Sequence, residues 1–229
     1  MRSPIFHRMF DYDRQLLPNR HLAFLETGVG AIDEARDQTG ATIGYPGWGL
    51  IYYILLSHLD RDRYELIVET GTNWGSTTIV LAQALVDARC RGKVVTFELE
   101  PENVAKAKAN LSAAGVADRV EVVQGDSRVN VPAVLKERCE PKSVRFAFLD
   151  ASHLEADMLA EFESVFPYLA DDAIVVFDNT YCIAMPNEDQ RVNGALKKFP
   201  KLYGGNLINF EFVSWFTPGM AIWQKAPKL

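Results

Sequence analysis

The chain has 229 residues, 48% of them hydrophobic, and a formal net charge of −6. That size and apolar content suit one α/β domain with an N-terminal extension, and the acidic balance argues against a nucleic-acid backbone as the main partner. Cys90, Cys139 and Cys182 are odd in number and lack C-x-x-C spacing, which argues against a disulfide framework or a thiolate zinc site and fits a reducing, cytoplasmic compartment.

Residues 1–44 alternate charged and aromatic side chains without a strong period, and Pro18 interrupts any helix. No apolar run marks a signal peptide or a membrane span, so neither is expected. The segment is too short for its own core and reads as a helical cap or a subunit interface, consistent with a homodimer. The cluster Ile43 to Gly49 leads into a helix over 50–59. It is either a plain turn or a place where Tyr45 or Trp48 meets a flat ligand.

The next stretch organises the rest. Leu66-Ile67-Val68 has the character of a buried parallel strand. It runs into Glu69-Thr70-Gly71-Thr72-Asn73-Trp74-Gly75, and Ser76 opens a helix over 76–88. A strand, a glycine turn and a helix make a nucleotide pocket at the carboxyl ends of an open sheet. The spacing Glu-x-Gly-x-x-x-Gly lacks the middle glycine of a dinucleotide turn, and Trp74 would crowd a pyrophosphate. No phosphate loop is present. Glu69 suits a ligand with a positive end. A second strand over 93–98 ends in Glu98-Leu99, and a carboxylate there can accept both hydroxyls of a ribose. A cationic end plus a ribose describes S-adenosylmethionine.

The pattern Glu69-x-Gly71-x-x-x-Gly75 with Glu98 resembles the class I S-adenosylmethionine-dependent methyltransferases, from about Tyr45 to the C-terminus. The resemblance implies an α/β Rossmann-like fold: a mostly parallel seven-stranded sheet, helices on both faces and a C-terminal antiparallel hairpin. It makes residues 45–229 the methyltransferase domain. It also implies a donor site drawn from Glu69, Thr70, Gly71, Thr72, Gly75, Ser76, Glu98, Leu99, Gly125, Asp126, Ser127 and Asp150.

Further along, Pro101 opens a helix that Gly115 ends. Residues 120–124 form a strand closing in Gly125-Asp126-Ser127. The resemblance puts this turn beside the adenine, where Asp126 or nearby backbone meets the exocyclic amine. Asp126 is equally suited to cap a helix over 131–139. Residues 144–149 form the fourth strand, 154–168 a helix, and 173–177 the fifth strand. A polar loop with a helix over 190–199 follows, then strands over 206–215 and 219–224.

Asp150, Asp178 and Asn179 leave the fourth and fifth strands on the side of the glycine turn. Two carboxylates and an amide oxygen form a hard oxygen set suited to Mg²⁺, Mn²⁺ or Ca²⁺. The alternative is that these residues cap helices and turns. The arrangement resembles the cation-dependent O-methyltransferases of the catechol and caffeoyl-coenzyme A types, and macrocin- and cephalosporin-pathway enzymes of natural-product biosynthesis. It implies Asp150, Asp178 and Asn179 as metal ligands and a small-molecule hydroxyl acceptor. Many catechol-type members carry Lys three residues after the first Asp; His153 stands there in this chain. The expected catalytic residues are therefore His153 as base and Asp150. The rivals are a metal-independent methyltransferase using His153, a Rossmann-like protein binding another nucleotide, and a member that binds the donor without catalysis.

Overall fold

The computed structural model describes residues 47–138, 142–180, 185–210 and 219–226. Expectations resting on residues 1–46, Cys139 and Cys182 lie outside them. Seven strands form one sheet: β1 (Tyr64–Thr70), β2 (Arg91–Glu98), β3 (Val120–Gln124), β4 (Val144–Leu149), β5 (Leu169–Asp178), β6 (Asn206–Phe210) and β7 (Met220–Gln224). Their order is β3-β2-β1-β4-β5-β7-β6. β1 to β5 are parallel, and β7 runs antiparallel to both β5 and β6. The expected sheet and its antiparallel ending are both present.

Strand parity explains how helices come to cover both faces. Successive side chains point to opposite sides of a sheet. Ile67, Val94, Phe146, Phe148 and Val176 pack on one face, against α1 (Gly47–His58), α2 (Ser76–Asp87) and Leu111 of α3 (Pro101–Ala113). Their neighbours Val68, Val95, Ala147, Leu149, Val175 and Phe177 pack on the other. There they meet α4 (Ser127–Arg138), α5 (Glu155–Val165) and α6 (Arg191–Leu202). Phe162 of α5 lies 4.5 Å from Phe199 of α6 and 5.1 Å from Trp223 of β7, centroid to centroid. Each such ring pair is worth about 0.5–1.5 kcal/mol beyond its buried area. This cluster fixes α5 against the sheet. Trp48 packs in the core of the first face, 7% exposed.

Several boundaries differ from the sequence reading. α1 begins at Gly47, within the expected turn. β2 begins at Arg91 and so contains Gly92. A Cβ on Gly92 would sit 2.1 Å from Glu65 O, so neighbouring backbone approaches too closely for any other residue. α4 begins at Ser127, four residues early, with Pro132 inside it. β5 begins at Leu169, and a short 3₁₀ turn over Phe166–Tyr168 replaces the last turn of the helix expected there.

Register aligns the strand ends. Thr70 stands opposite Phe97 and Leu149, Glu98 opposite Gln124, and Leu149 opposite Phe177. Glu69, Glu98, Gly125, Asp150 and Asp178 are thereby brought to one rim. Strand order reverses between β1 and β4, which is where open α/β sheets bind ligands.

Candidate functional site

The turn after β1 is built on Gly71. It has φ +80°, and a Cβ there would sit 2.3 Å from the carbonyl oxygen of Asp150. Only glycine fits both constraints. The amides of Gly71 and Thr72 donate to Phe97 O at 3.0 and 3.2 Å, tying the turn to β2. The Asp150 amide lies 3.2 Å from both Thr70 O and Thr70 Oγ1. The turns after β1, β2 and β4 therefore share one set of bonds.

A cavity of about 280 Å³ opens at this rim. Among the expected donor residues it is lined by Gly71, Glu98, Leu99, Gly125, Asp126 and Ser127. Glu98 is held in place from behind. Its Oε2 accepts from Asn73 N at 2.6 Å, and its Oε1 accepts from Glu100 N at 3.0 Å.

Other expected residues stand behind this lining. Glu69 is fully buried, and Thr78 Oγ1 donates to its Oε2 at 2.5 Å. Among the described residues its Oε1 has no well-formed hydrogen bond, and burial, against Thr78 and Thr96, pushes its carboxyl up to about 8. Thr72 Oγ1 lies 2.6 Å from Thr96 Oγ1 in the interior. Gly75 caps α2 with φ +85°, and Ser76 is the first residue of that helix. Asp126 does cap a helix, with Oδ1 accepting from Arg128 N at 2.9 Å. The Arg128 side chain also grips Asp126: Nε donates to Oδ1 at 3.0 Å and Nη2 to Oδ2 at 2.7 Å. Arg128 Nη1 donates to Asp157 Oδ1 at 2.8 Å, and Ser152 Oγ donates to Asp157 Oδ2 at 2.8 Å.

The second group lies beside the cavity. Asn179 has φ +59° and donates through Nδ2 to Asp150 Oδ1 at 3.0 Å. His153 Nε2 stands 3.5 Å from the same oxygen. That bond to Asp150 raises the imidazole above its ordinary range. Burial raises the Asp150 carboxyl, against the bonds from His153 and Asn179. Asp178 is 1% exposed, and among the described residues neither of its oxygens has a hydrogen-bond partner. Burial, then the charge of Asp150, pushes it well above the usual carboxylate range. Among the described residues no three His, Cys, Asp or Glu side chains form a cation cluster; the set here is two carboxylates and a carboxamide. Two orphaned carboxylate oxygens beside a second carboxylate fit a hard divalent cation.

Six lining residues, Phe97, Arg128, Ala151, Ser152, Asp157 and Glu161, escaped the sequence reading. Glu161 of α5 is 1% exposed yet lines the cavity. Ser127 Oγ donates to its Oε1 at 2.7 Å and Thr70 Oγ1 to its Oε2 at 3.2 Å. Burial pushes its carboxyl up to about 7. The available signal was an acid on the buried stripe Met158, Glu161, Phe162, Val165.

Comparison with known proteins fits this geometry. Residues 68–180 match a methyltransferase domain family. A catechol O-methyltransferase of Sus scrofa is 27% identical over 139 residues, covering 59% of this chain and 71% of that protein. A catechol O-methyltransferase of Mycobacterium tuberculosis is 44% identical over 68 residues, 30% of each chain. The aligned stretch thus spans less than a third of that relative. An O-methyltransferase of tomaymycin synthesis from Streptomyces achromogenes, solved with S-adenosylmethionine, superposes with a TM-score of 0.67. It is 24% identical, with 89% of each chain covered, and shows a shared fold.

Proposed function

From the membership of this chain in the class I S-adenosylmethionine-dependent methyltransferases, we propose that it is an O-methyltransferase acting on a hydroxyl of a small molecule. The observation that carries the reading is Glu98 lining the switch-point cavity, its carboxylate fixed by three neutral donors, the amides of Asn73 and Glu100 and the carboxamide of Asn103, with no cation neutralising it among the described residues. A carboxylate fixed in this way receives the ribose hydroxyls without reorganising. Gly71 lines the same cavity, and its left-handed turn lets the end of β1 pass against the Asp150 backbone. The catechol O-methyltransferase relatives and the donor-bound structural neighbour support the same donor.

Asp150, Asp178 and Asn179 would hold a divalent cation. The Asn179 carboxamide carries both a donor and an acceptor, so turning it over exchanges its bond to Asp150 for an oxygen ligand. A bound cation supplies positive charge that lowers the pKa of an acceptor hydroxyl. His153 takes the hydroxyl proton; its Nδ1 is the ring nitrogen not directed at Asp150. The oxygen then forms a bond to the methyl carbon as the carbon–sulfur bond breaks, its electron pair passing to sulfur. The products are a methyl ether, S-adenosylhomocysteine and a proton released from His153. Glu98 and the Gly71 turn contribute by positioning.

The test is methyl transfer from labelled S-adenosylmethionine to a panel of catechols and polyhydroxylated acceptors, with Mg²⁺ or with EDTA. The reading expects labelled ether that disappears with EDTA. Transfer that survives EDTA selects the metal-independent rival. Donor binding without transfer to any acceptor selects the non-catalytic one.

A further inference from the structure

We infer that Glu161, rather than Asp126, is the carboxylate that accepts the exocyclic amine of the donor's adenine and so selects adenine over other purines. The inference rests on the donor-site reading above.

Acceptor capacity and charge separate the two carboxylates. An ionised carboxylate has about four lone-pair positions. Asp126 spends three: two on the backbone and Nε of Arg128, one on Nη2. Its charge is neutralised by the same guanidinium, which is itself held by Asp157. Any amine bonding Asp126 meets a cation a few ångströms behind it.

Glu161 is in the opposite condition. Its two recorded bonds come from neutral hydroxyls, one at each oxygen, so each oxygen keeps a second position. Among the described residues no salt bridge reaches it, although the charge of a protonated His153 acts on it. It is buried, yet forms part of the cavity wall. An acid with neutral partners, enclosed and facing a cavity, is costly to keep unless a ligand uses it.

Its position identifies the ligand group. Glu98 serves the ribose at the β2 turn. Glu161 is fastened to Ser127 after β3 and to Thr70 at the end of β1, and on the β3 side it shares the cavity with Gly125. The base must extend from the ribose toward that side. The N–H donor it offers there is the amine on the six-membered ring. The anchor is rigid, because the Phe162 ring cluster holds α5 and Thr70 belongs to the Gly71 turn.

The experiment compares S-adenosylhomocysteine with S-inosylhomocysteine, which carries a carbonyl in place of the amine. Affinities are measured by calorimetry at pH 8.5, where the Glu161 carboxyl is ionised. Wild type should prefer the adenine compound by about tenfold or more, the scale of one charge-assisted hydrogen bond. Glu161→Leu should bring that ratio to within about threefold of unity, and Glu161→Gln should lower it in the same direction. Asp126→Asn should leave it unchanged. A structural role for Glu161 would lower the melting temperature and both affinities together without moving the ratio. A ratio preserved in Glu161→Gln overturns the assignment, even if Glu161→Leu does not fold. Equal binding of both compounds by wild type overturns it too. Failure of wild type to bind S-adenosylhomocysteine removes the donor site, and this assignment with it.

Discussion

The two ends of β1 and its neighbours carry buried acids in opposite states. At the amino end, Glu65 is 1% exposed and paired with a cation: Arg145 Nη1 donates to its Oε1 at 2.6 Å, as does Asp60 N at 2.7 Å. Arg145 also reaches Asp172 at 2.8 Å. At the carboxyl end, among the described residues, Glu69 keeps one oxygen unpartnered and Asp178 both. The same sheet therefore finishes its charges at one end and leaves them open at the other. A fold under pressure for stability alone pairs or removes buried acids. Open ones at a switch point are where the proposed ligand contacts are sought. The contrast separates residues that hold the fold from residues that act.

The largest way to sharpen the contrast is at the reacting group. His153→Ala should lower kcat by about 10²–10⁴-fold with donor affinity unchanged, the range of general-base catalysis. Steady-state kinetics beside calorimetry separates the two, and an equal loss in both would make His153 a binding residue. At the paired end, Arg145→Ala should destabilise the fold by about 3–5 kcal/mol, because it leaves Glu65 buried and uncompensated. Denaturant melts check this, and the variant's donor affinity should stay near wild type. At the open end, Asp178→Asn should cost about 10–100-fold in metal-stimulated turnover. It should not lower the melting temperature of the metal-free protein, since it removes a buried charge without partners. A large drop would mean that Asp178 is structural.

The smallest effect is a pH slope. Burial raises Glu69 from 4.5 to about 8 in the folded state. Folding therefore favours its protonated form. That contribution is complete below pH 4.5, declines as pH rises from there, and is lost above about 8. Glu69→Gln should flatten the fall in melting temperature between pH 5 and 8. An unchanged slope would place the titration elsewhere.

How much of this the sequence held depends on the range of the interaction. The Glu69, Gly71, Gly75 spacing and the apolar strands were legible because turn chemistry and strand parity are local. The 28-residue separation of Asp150 and Asp178 was legible because one helix and one strand fill it, so the parallel register sets them side by side. Glu161 was not. An acid on an apolar helical stripe reads as an exception until the cavity beneath it is seen. The bond from Arg128 to Asp157 was also hidden, because it joins two helices far apart in sequence. Gly92 inside β2 reflects close backbone approach by β1, which strand propensity does not encode.

The account stands or falls on the switch-point cavity as a donor site. Calorimetric titration of wild type and Glu98→Ala with S-adenosylhomocysteine tests it most directly. The prediction is saturable one-to-one binding by wild type, weakened in the variant by about 1.5–3 kcal/mol, the worth of charge-assisted hydrogen bonds. Absence of binding by the folded wild type, or equal affinity in the two proteins, would contradict it.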